Sequence, residues 1–284
     1  MTDYFNNGLG KIYNFYDTEE DYYNSKIAIT TDGFISITDY FMDDIDKYEV
    51  KLFHVLLKKY KKLYLNGNKS ILKIIQKGIL EHITHIKLSI SSPISEYTLD
   101  FNYANLSHQL VYLSIEALNL NLDSFINLPP SLKTIYITCL GKYNLLSENL
   151  NQGLETLCLE NVNWIPNFGN SPSSLKNLTI IFGKEYSNGV VIPKKRNFTE
   201  DLNLLPHGLE NIFYDVCGKI NNINFSILPK TLKSISIRSE SISNDVDDVD
   251  DVDDVDDDFR EKLNFELQKV IPGCAFMYEI ENMD

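Results

Sequence analysis

Apolar residues recur along the chain in the spacing L-x-x-L-x-L, whose last two apolar positions are separated by one residue. In an extended strand, residues two apart point to the same side, so this pair can enter one core. The first position of the pattern stands at Tyr60, Ile83, Leu110, Leu132, Leu154, Leu175, Leu209 and Leu232. Successive first positions are 23, 27, 22, 22, 21, 34 and 23 residues apart. Such a period, with one strand per unit, predicts a repeat solenoid rather than an α/β domain with incidental leucines.

Proline marks the approach to several of these strands. The segments "LPPSLKTIYI", "LPHGLENIFY" and "LPKTLKSISI" begin at Leu128, Leu205 and Leu228. Proline has no N–H and holds the preceding residue extended, which suits a turn that leads the chain into a strand. One coil buries a few aliphatic side chains at about 1.5–3 kcal/mol each, whereas ordering its backbone costs about 1–2 kcal/mol per residue. We therefore expect the coils to be stable only when they stack.

These three segments resemble FNIP-type leucine-rich repeats, whose core reads L-P-x-S-L-x-x-L and which are common in amoebae and large DNA viruses. The resemblance covers roughly residues 60–240. It implies an α/β repeat solenoid with a leucine-rich-repeat-like curved parallel β-sheet and an irregular or short helical convex side. It also implies a binding scaffold, because such repeats serve many partners.

Residues 1–59 are predicted to form an N-terminal cap. Apolar alternation about Asp32-Gly33 in "KIAITTDGFISIT" predicts a β-hairpin. In "DDIDKYEVKLFHVLLKKYKK", Ile45, Leu52 and Leu56 share one face of a predicted amphipathic helix. The cap is thus expected to combine a hairpin with a helix.

The solenoid is predicted over residues 60–243, with about eight coils and an insertion near 183–203. The insertion contains the basic cluster "PKKR" at 193–196, which fits a solvated loop, a nuclear-import signal or a contact for an acidic partner. Residues 259–284 are predicted to be a C-terminal cap, with a helix followed by a last strand around Phe276 and Tyr278.

Residues 244–258 repeat Val-Asp-Asp and are predicted to be an acidic, low-complexity, disordered loop. Weak cation binding and docking of a basic partner remain alternatives, although the run lacks the glycine and glutamate of an EF-hand loop. The net charge is −14, and ten of the forty acidic residues lie in this run. A chain with this charge is not expected to bind nucleic acid.

The composition indicates an intracellular, cytoplasmic protein. The N-terminal residues show neither a basic n-region nor an apolar h-region, and no apolar run reaches the length of a membrane span. We therefore expect no signal peptide and no membrane association. The four cysteines are scattered without a CxxC pair, which favours reduced thiols. We expect a monomer.

Motifs for catalysis are missing from the sequence, which contains no GxSxG, P-loop, GxGxxG or HExxH. We expect no enzyme activity, no cofactor and no metal site. His82 and His85 lie three residues apart, a spacing that would place them on opposite faces of a strand. Cys158 stands between two inward leucines, so it is expected to point outward as a surface cysteine.

The remaining candidates for function are the strand residues that do not enter the core. Protein interfaces favour aromatic residues and arginine, so a mixed aromatic and polar face predicts a non-enzymatic protein-interaction scaffold. The candidate partner-binding residues on the concave face are Tyr64, Tyr112, Glu116, Tyr136, Glu160, Phe213, Asp215 and Arg238. The alternative is a substrate-recognition adaptor of a ubiquitin ligase, with residues 1–60 as a diverged docking module. FNIP-type proteins often carry an F-box there, although the F-box pattern is not seen in this sequence.

Overall fold

A computed structural model describes most of the repeats and parts of both ends of the chain. The described residues are 3–4, 11–13, 27–38, 58–67, 81–90, 106–117, 128–139, 150–162, 168, 171–183, 185–187, 190–192, 205–216, 224–241 and 252–282. The chain divides into two compact units, Met1–Leu145 and Leu146–Asp284. In each unit, turns lead into strands that pair in parallel, so both units are repeat solenoids with little helix in the described ranges.

The first unit holds eight described strands. They are β1 (Asp3–Tyr4), β2 (Lys11–Tyr13), β3 (Ile27–Ile29), β4 (Ile35–Thr38), β5 (Lys62–Gly67), β6 (His85–Ile90), β7 (Tyr112–Ala117) and β8 (Thr134–Cys139). Strands β1 to β4 pair in antiparallel order, and β4 to β8 pair in parallel. Strands β3 and β4 form the hairpin expected about Asp32-Gly33, where Gly33 has a φ of 81° that glycine adopts without strain.

The second unit contains the remaining described elements. They are β9 (Thr156–Val162), β10 (Asn177–Phe182), β11 (Glu185–Ser187), β12 (Val190–Ile192), β13 (Asn211–Val216), a short 3-10 helix (Phe225–Ile227), β14 (Ser234–Ser241), helix α1 (Val252–Val270) and β15 (Ala275–Asn282). Strands β9, β10, β13, β14 and β15 pair in parallel in that order. Strands β11 and β12 form a separate antiparallel hairpin inside the predicted insertion.

The core of each unit is built from the two apolar positions of every strand. In the first unit Leu63, Ile86, Leu113 and Ile135 stand in register, as do Leu65, Leu88, Ile115 and Ile137. The second unit repeats this with Leu157, Leu178, Ile212 and Ile235, and with Leu159, Ile180, Tyr214 and Ile237. All of these side chains are at most 3% exposed. The eight strands that the apolar pattern predicts are therefore confirmed.

The turn before each strand explains the proline and the serine of the repeat. The carbonyl oxygens of Pro129, Pro172 and Pro229 accept the N–H of the leucine three residues later, which closes the turn. The residue before that leucine then binds the previous coil. The hydroxyls of Ser131, Ser174 and Thr231 donate to the carbonyls of Leu110, Leu154 and Leu209 at 2.7, 2.6 and 2.5 Å, respectively.

In one coil, glycine stands at the position that serine or threonine occupies in the others. This residue, Gly208, directly precedes Leu209, and a Cβ on it would lie 2.9 Å from the carbonyl oxygen of Ser173. The backbones of neighbouring coils therefore approach too closely for a side chain at this position.

At the C-terminal end, helix α1 is followed by strand β15, which pairs in parallel with β14 over eight residues and so extends the sheet of the second unit. Helix α1 begins at Val252, so residues 252–258 of the acidic run, predicted to be disordered, are helical.

Other expectations fall outside the described residues. These are most of the predicted N-terminal helix, of which only Lys58 and Lys59 are described and helical, the basic cluster at 193–196, and residues 244–251. Most of residues 1–60, the docking module of the adaptor alternative, fall outside as well. Within the described ranges, no helix is both long enough and apolar enough to cross a membrane.

Candidate partner-binding surface

The residues that alternate with the core positions form what we call the outer face of each unit. It consists of Phe34 and the first, third and fifth residues of β5 to β8 in the first unit, and of the first, third and fifth residues of β9, β10, β13, β14 and β15 in the second. All eight candidate residues lie on it. Tyr64, Tyr112, Glu116 and Tyr136 belong to the first unit, and Glu160, Phe213, Asp215 and Arg238 to the second.

Four rings form a continuous row on the outer face of the first unit. The rings of Phe34 and His85 meet edge to face at 6.4 Å, and His85 stacks on Tyr112 at 5.6 Å. Tyr112 in turn lies 5.5 Å from Tyr136. The row runs from Phe34, which is 4% exposed, to Tyr136, which is 39% exposed. Aromatic pairs at such separations add favourable interactions beyond area burial, so each ring helps to fix the next.

Two lysines cover the buried end of this row. The Nζ atoms of Lys62 and Lys87 lie 5.4 and 4.5 Å from the ring centre of Phe34, within the range of cation–π attraction. Both lysines also bind Asp32: Lys87 Nζ donates to its carboxylate and Lys62 Nζ to its carbonyl, each at 3.0 Å. The hydrogen bond from Thr30 and the charge of Lys87 hold the pKa of Asp32 below its usual range.

His85 is held in its neutral form. Burial, together with the positive charge of Lys62, lowers the pKa of His85 below its ordinary value of 6.5. Its Nδ1 lies 2.8 Å from the hydroxyl of Thr84. The imidazole therefore behaves at neutral pH as an uncharged member of the ring row.

A ladder of polar side chains crosses the outer face of the second unit. Asn177 Nδ2 donates to the hydroxyl of Thr156 at 3.1 Å, and Asn211 Nδ2 donates to Asn177 Oδ1 at 2.7 Å. The hydroxyl of Ser234 donates to Asn211 Oδ1, also at 2.7 Å. These residues occupy the first position of four successive strands. The ladder links these strands through their side chains as well as their backbones.

Arg238, at the fifth position of β14, contacts an aromatic ring and two carboxylates on the outer face of the second unit. Its guanidinium lies 5.5 Å from the ring centre of Phe213, and its Nη1 and Nε lie 3.5 and 3.3 Å from carboxylate oxygens of Asp215 and Glu279. Met277, at the third position of β15, is 51% exposed. The second unit thus presents an arginine held by two acids next to apolar surface.

Cys158 corrects one expectation. It stands at the third position of β9 and so on the outer face, but it is only 8% exposed, whereas we expected a surface cysteine. Burial, with a smaller effect from the charge of Glu160, raises the pKa of the thiol to about 11. A thiol is short, so longer side chains on the same face can cover it. A thiol with this pKa is a poor nucleophile at neutral pH.

Sequence reasoning missed Phe34 and the outer-face residues of β15. Phe34 comes directly before β4, and Met277 and Glu279 lie in β15. The signal for Phe34 was present, because it alternates with Ile35 in the predicted hairpin. Within the described ranges, no three His, Cys, Asp or Glu residues form a group that could hold a metal ion.

Comparison with known proteins gives no relative: no family model, no curated protein and no solved structure matches the chain.

Proposed function

We propose that this protein is a non-enzymatic, intracellular interaction scaffold that binds a protein partner through the outer face. The observation that carries the proposal is the ring row of Phe34, His85, Tyr112 and Tyr136. Residues that dominate binding energy in protein interfaces are enriched in Tyr, Trp and Arg and stand in preformed positions. Tyr136 has the exposure for such a role, and the neighbouring rings hold it in place before the partner arrives.

The second unit supports the same proposal with different chemistry. The guanidinium of Arg238 lies over the Phe213 ring and contacts the carboxylates of Asp215 and Glu279, so little side-chain freedom would be lost on binding. Glu116 and Glu160 add acidic groups at the fifth strand position of their units. A partner bound here would meet aromatic anchors with charged residues around them, the usual composition of an interface.

We further propose that the coils are FNIP-type leucine-rich repeats. Support comes from the physical roles of the motif L-P-x-S-L in the turns: proline closes the turn, and serine or threonine binds the previous coil. Among the described side chains, Cys158 and Cys274 are free, buried thiols, which fits a reducing compartment such as the cytoplasm.

The test begins with affinity purification from the native cell and mass spectrometry to identify a partner. Its affinity is then measured by calorimetry for the Tyr136→Ala and Phe213→Ala variants. We expect at least one of them to weaken binding by about tenfold or more, which corresponds to a loss of about 1.4 kcal/mol.

The matched control is Phe265→Ala, which removes an aromatic side chain that is 62% exposed on α1 and not on the outer face. It should leave the affinity unchanged. Full affinity in both outer-face variants, each still folded by circular dichroism, would refute the proposed surface.

A further inference from the structure

Strand β15 stands last in the sheet order of the second unit. It pairs with β14 along its full length of eight residues, from Ala275 opposite Ser234 to Asn282 opposite Ser241. Among the described residues, no strand follows it in the sheet. A sheet edge of this length is a template on which another extended chain can add.

The backbone orientation shows which groups face this edge. The N–H of Ala275 donates to the carbonyl of Lys233 at 2.8 Å, so Ala275 directs its backbone groups toward β14. The direction alternates along a strand, because the N–H and C=O of one residue point to the same side. Phe276 and Ile280 therefore direct their N–H and C=O groups away from β14.

Side chains beside the edge define what an added strand would meet. On the outer face these are Met277, 51% exposed, and Glu279, also exposed. On the other face, Phe276 is half-buried and its ring packs edge to face with that of Phe225 at 6.3 Å. An added strand with alternating residues would cover Phe276 with its apolar side chains and place its polar side chains beside Glu279.

The charge of the C-terminal region indicates which kind of extended chain could add at the β15 edge. Residues 252–282 contain nine acidic and three basic residues. Two copies of this region would repel each other, so a second copy of β15 is disfavoured at the edge. The side chain of Glu279 is 47% exposed at the fifth strand position, so it presents a carboxylate beside the edge. Lysine or arginine at alternate positions of an added strand would complement it.

We propose that the β15 edge binds an extended basic segment of a partner protein by β-strand addition, with alternating apolar and Lys or Arg residues. Strand addition would use the backbone groups of Phe276 and Ile280 at the edge of β15. It therefore does not depend on the partner-binding role proposed for the side chains of Tyr136 and Phe213.

The probe is a fluorescein-labelled peptide Lys-Val-Lys-Val-Lys-Val-Lys with blocked ends, whose binding to the full chain is measured by fluorescence anisotropy. Hydrogen exchange of the same complex shows where on the chain the peptide binds. We expect saturable binding and slower exchange of the Phe276 and Ile280 amides. The corresponding Glu-Val peptide should not bind.

Backbone methylation of the probe tests the mode of binding. In an antiparallel addition the valine N–H groups would face β15, and in a parallel addition the lysine N–H groups would do so. We expect one of the two N-methylated peptides to lose binding by about tenfold or more and the other to retain it. If neither methylation weakens binding, the peptide is not an added strand and the proposal is wrong.

A charge reversal tests the position. Glu279→Lys should weaken the probe by about tenfold at low ionic strength, because it places a cation beside the edge. Glu160→Lys is the matched control, since it makes the same change at the same strand position of β9, four strands away in the sheet. Equal losses in both variants would mean that the peptide responds only to net charge.

Two further results separate the possible outcomes. The Tyr136→Ala and Phe213→Ala variants should bind the probe normally, even if the outer face proves not to bind a partner. Sedimentation of the chain alone should show no dimer. A dimer that protects Phe276 and Ile280 without peptide would overturn the proposal in favour of a second copy.

Discussion

The exposure of a residue on the outer face depends on the side chains around it as much as on its own position in the strand. Cys158 and Met277 both stand at the third position of a strand in the second unit, yet Cys158 is 8% exposed and Met277 is 51% exposed. Strand β9 is followed by β10, whereas β15 stands last in the order of its sheet. Alternation therefore determines the face of a residue, and packing around it determines its exposure and its chemistry.

Alkylation of Cys158 by iodoacetamide should be slow in the folded protein. A thiol with a pKa of about 11 holds about a hundredfold less thiolate at pH 8 than one at its ordinary value of 9.0. Peptide mass spectrometry measures the rate at this residue alone. We expect it to rise about tenfold per pH unit up to pH 10 or beyond, and to reach the rate of an ordinary cysteine in denaturant.

The sign of the accompanying stability change follows from the raised pKa. The neutral thiol stabilises the folded state fully below pH 9.0, and this contribution is lost as the pH rises toward about 11. A rate in the folded protein that levels off near pH 9, as for a free thiol, would contradict the burial of Cys158.

At the scale of the element, each coil is joined to the previous one by more than its strand. The hydroxyl of Ser174 lies 2.7 and 2.6 Å from the carbonyl oxygens of Gln152 and Leu154, and Thr231 makes the equivalent contacts with His207 and Leu209. These bonds satisfy backbone carbonyls in the turns, where the ladder of the sheet does not reach.

Ser174→Ala should lower the free energy of unfolding by about 1–2 kcal/mol, because it removes the hydroxyl that donates to the carbonyl of Leu154 in a part-buried hydrogen bond. Urea unfolding followed by circular dichroism provides the measurement. Ser173→Ala is the matched control, since Ser173 is exposed in the same turn and should tolerate the change. Equal stability of the two variants would show that the hydroxyl does not join the coils.

Helix α1 shows where element-level prediction failed. The Val-Asp-Asp repeat has too little apolar content for a core, and on that ground residues 244–258 were predicted to be disordered. The structure starts the helix at Val252 and continues it to the buried Leu263 and Leu267. Packing of the C-terminal half of the helix, where Leu263 and Leu267 are buried, stabilises it.

At the scale of the whole molecule, stability should vary along each solenoid. Each coil is supported by its neighbours, so a coil at the end of a stack has fewer stabilising contacts than one in the middle. In the second unit, β13 lies between β10 and β14, whereas β15 has a strand on one side among the described residues.

Hydrogen exchange should reflect this order. In the free protein, we expect the amides of Ile212 and Tyr214 in β13 to exchange far more slowly than those of Met277 and Glu279, which direct their N–H groups from β15 toward β14. Exchange followed by mass spectrometry, with a fully deuterated control, measures both segments at once. Uniform protection of β13 and β15 would show that the end coil is as stable as the middle one.

The sequence by itself determined the strands and their core, because the two-residue spacing of the apolar positions leaves only one face of each strand to bury. Thus Leu157 and Leu159, or Ile235 and Ile237, could be assigned to the core from the chain alone. The same alternation placed Tyr136 and Arg238 on the outer face. It could not show that Tyr136 stacks in a row with Tyr112, His85 and Phe34.

Only the tertiary structure decided which outer-face residues touch. Residues such as Arg238, Asp215 and Glu279 are up to 64 positions apart in sequence, and the register between strands brings them together. That register depends on the lengths of the turns and on bonds such as those of Ser174 and Thr231, which act between coils. A periodic pattern specifies the interior because every coil repeats it, whereas the outer face depends on contacts between coils that no single repeat contains.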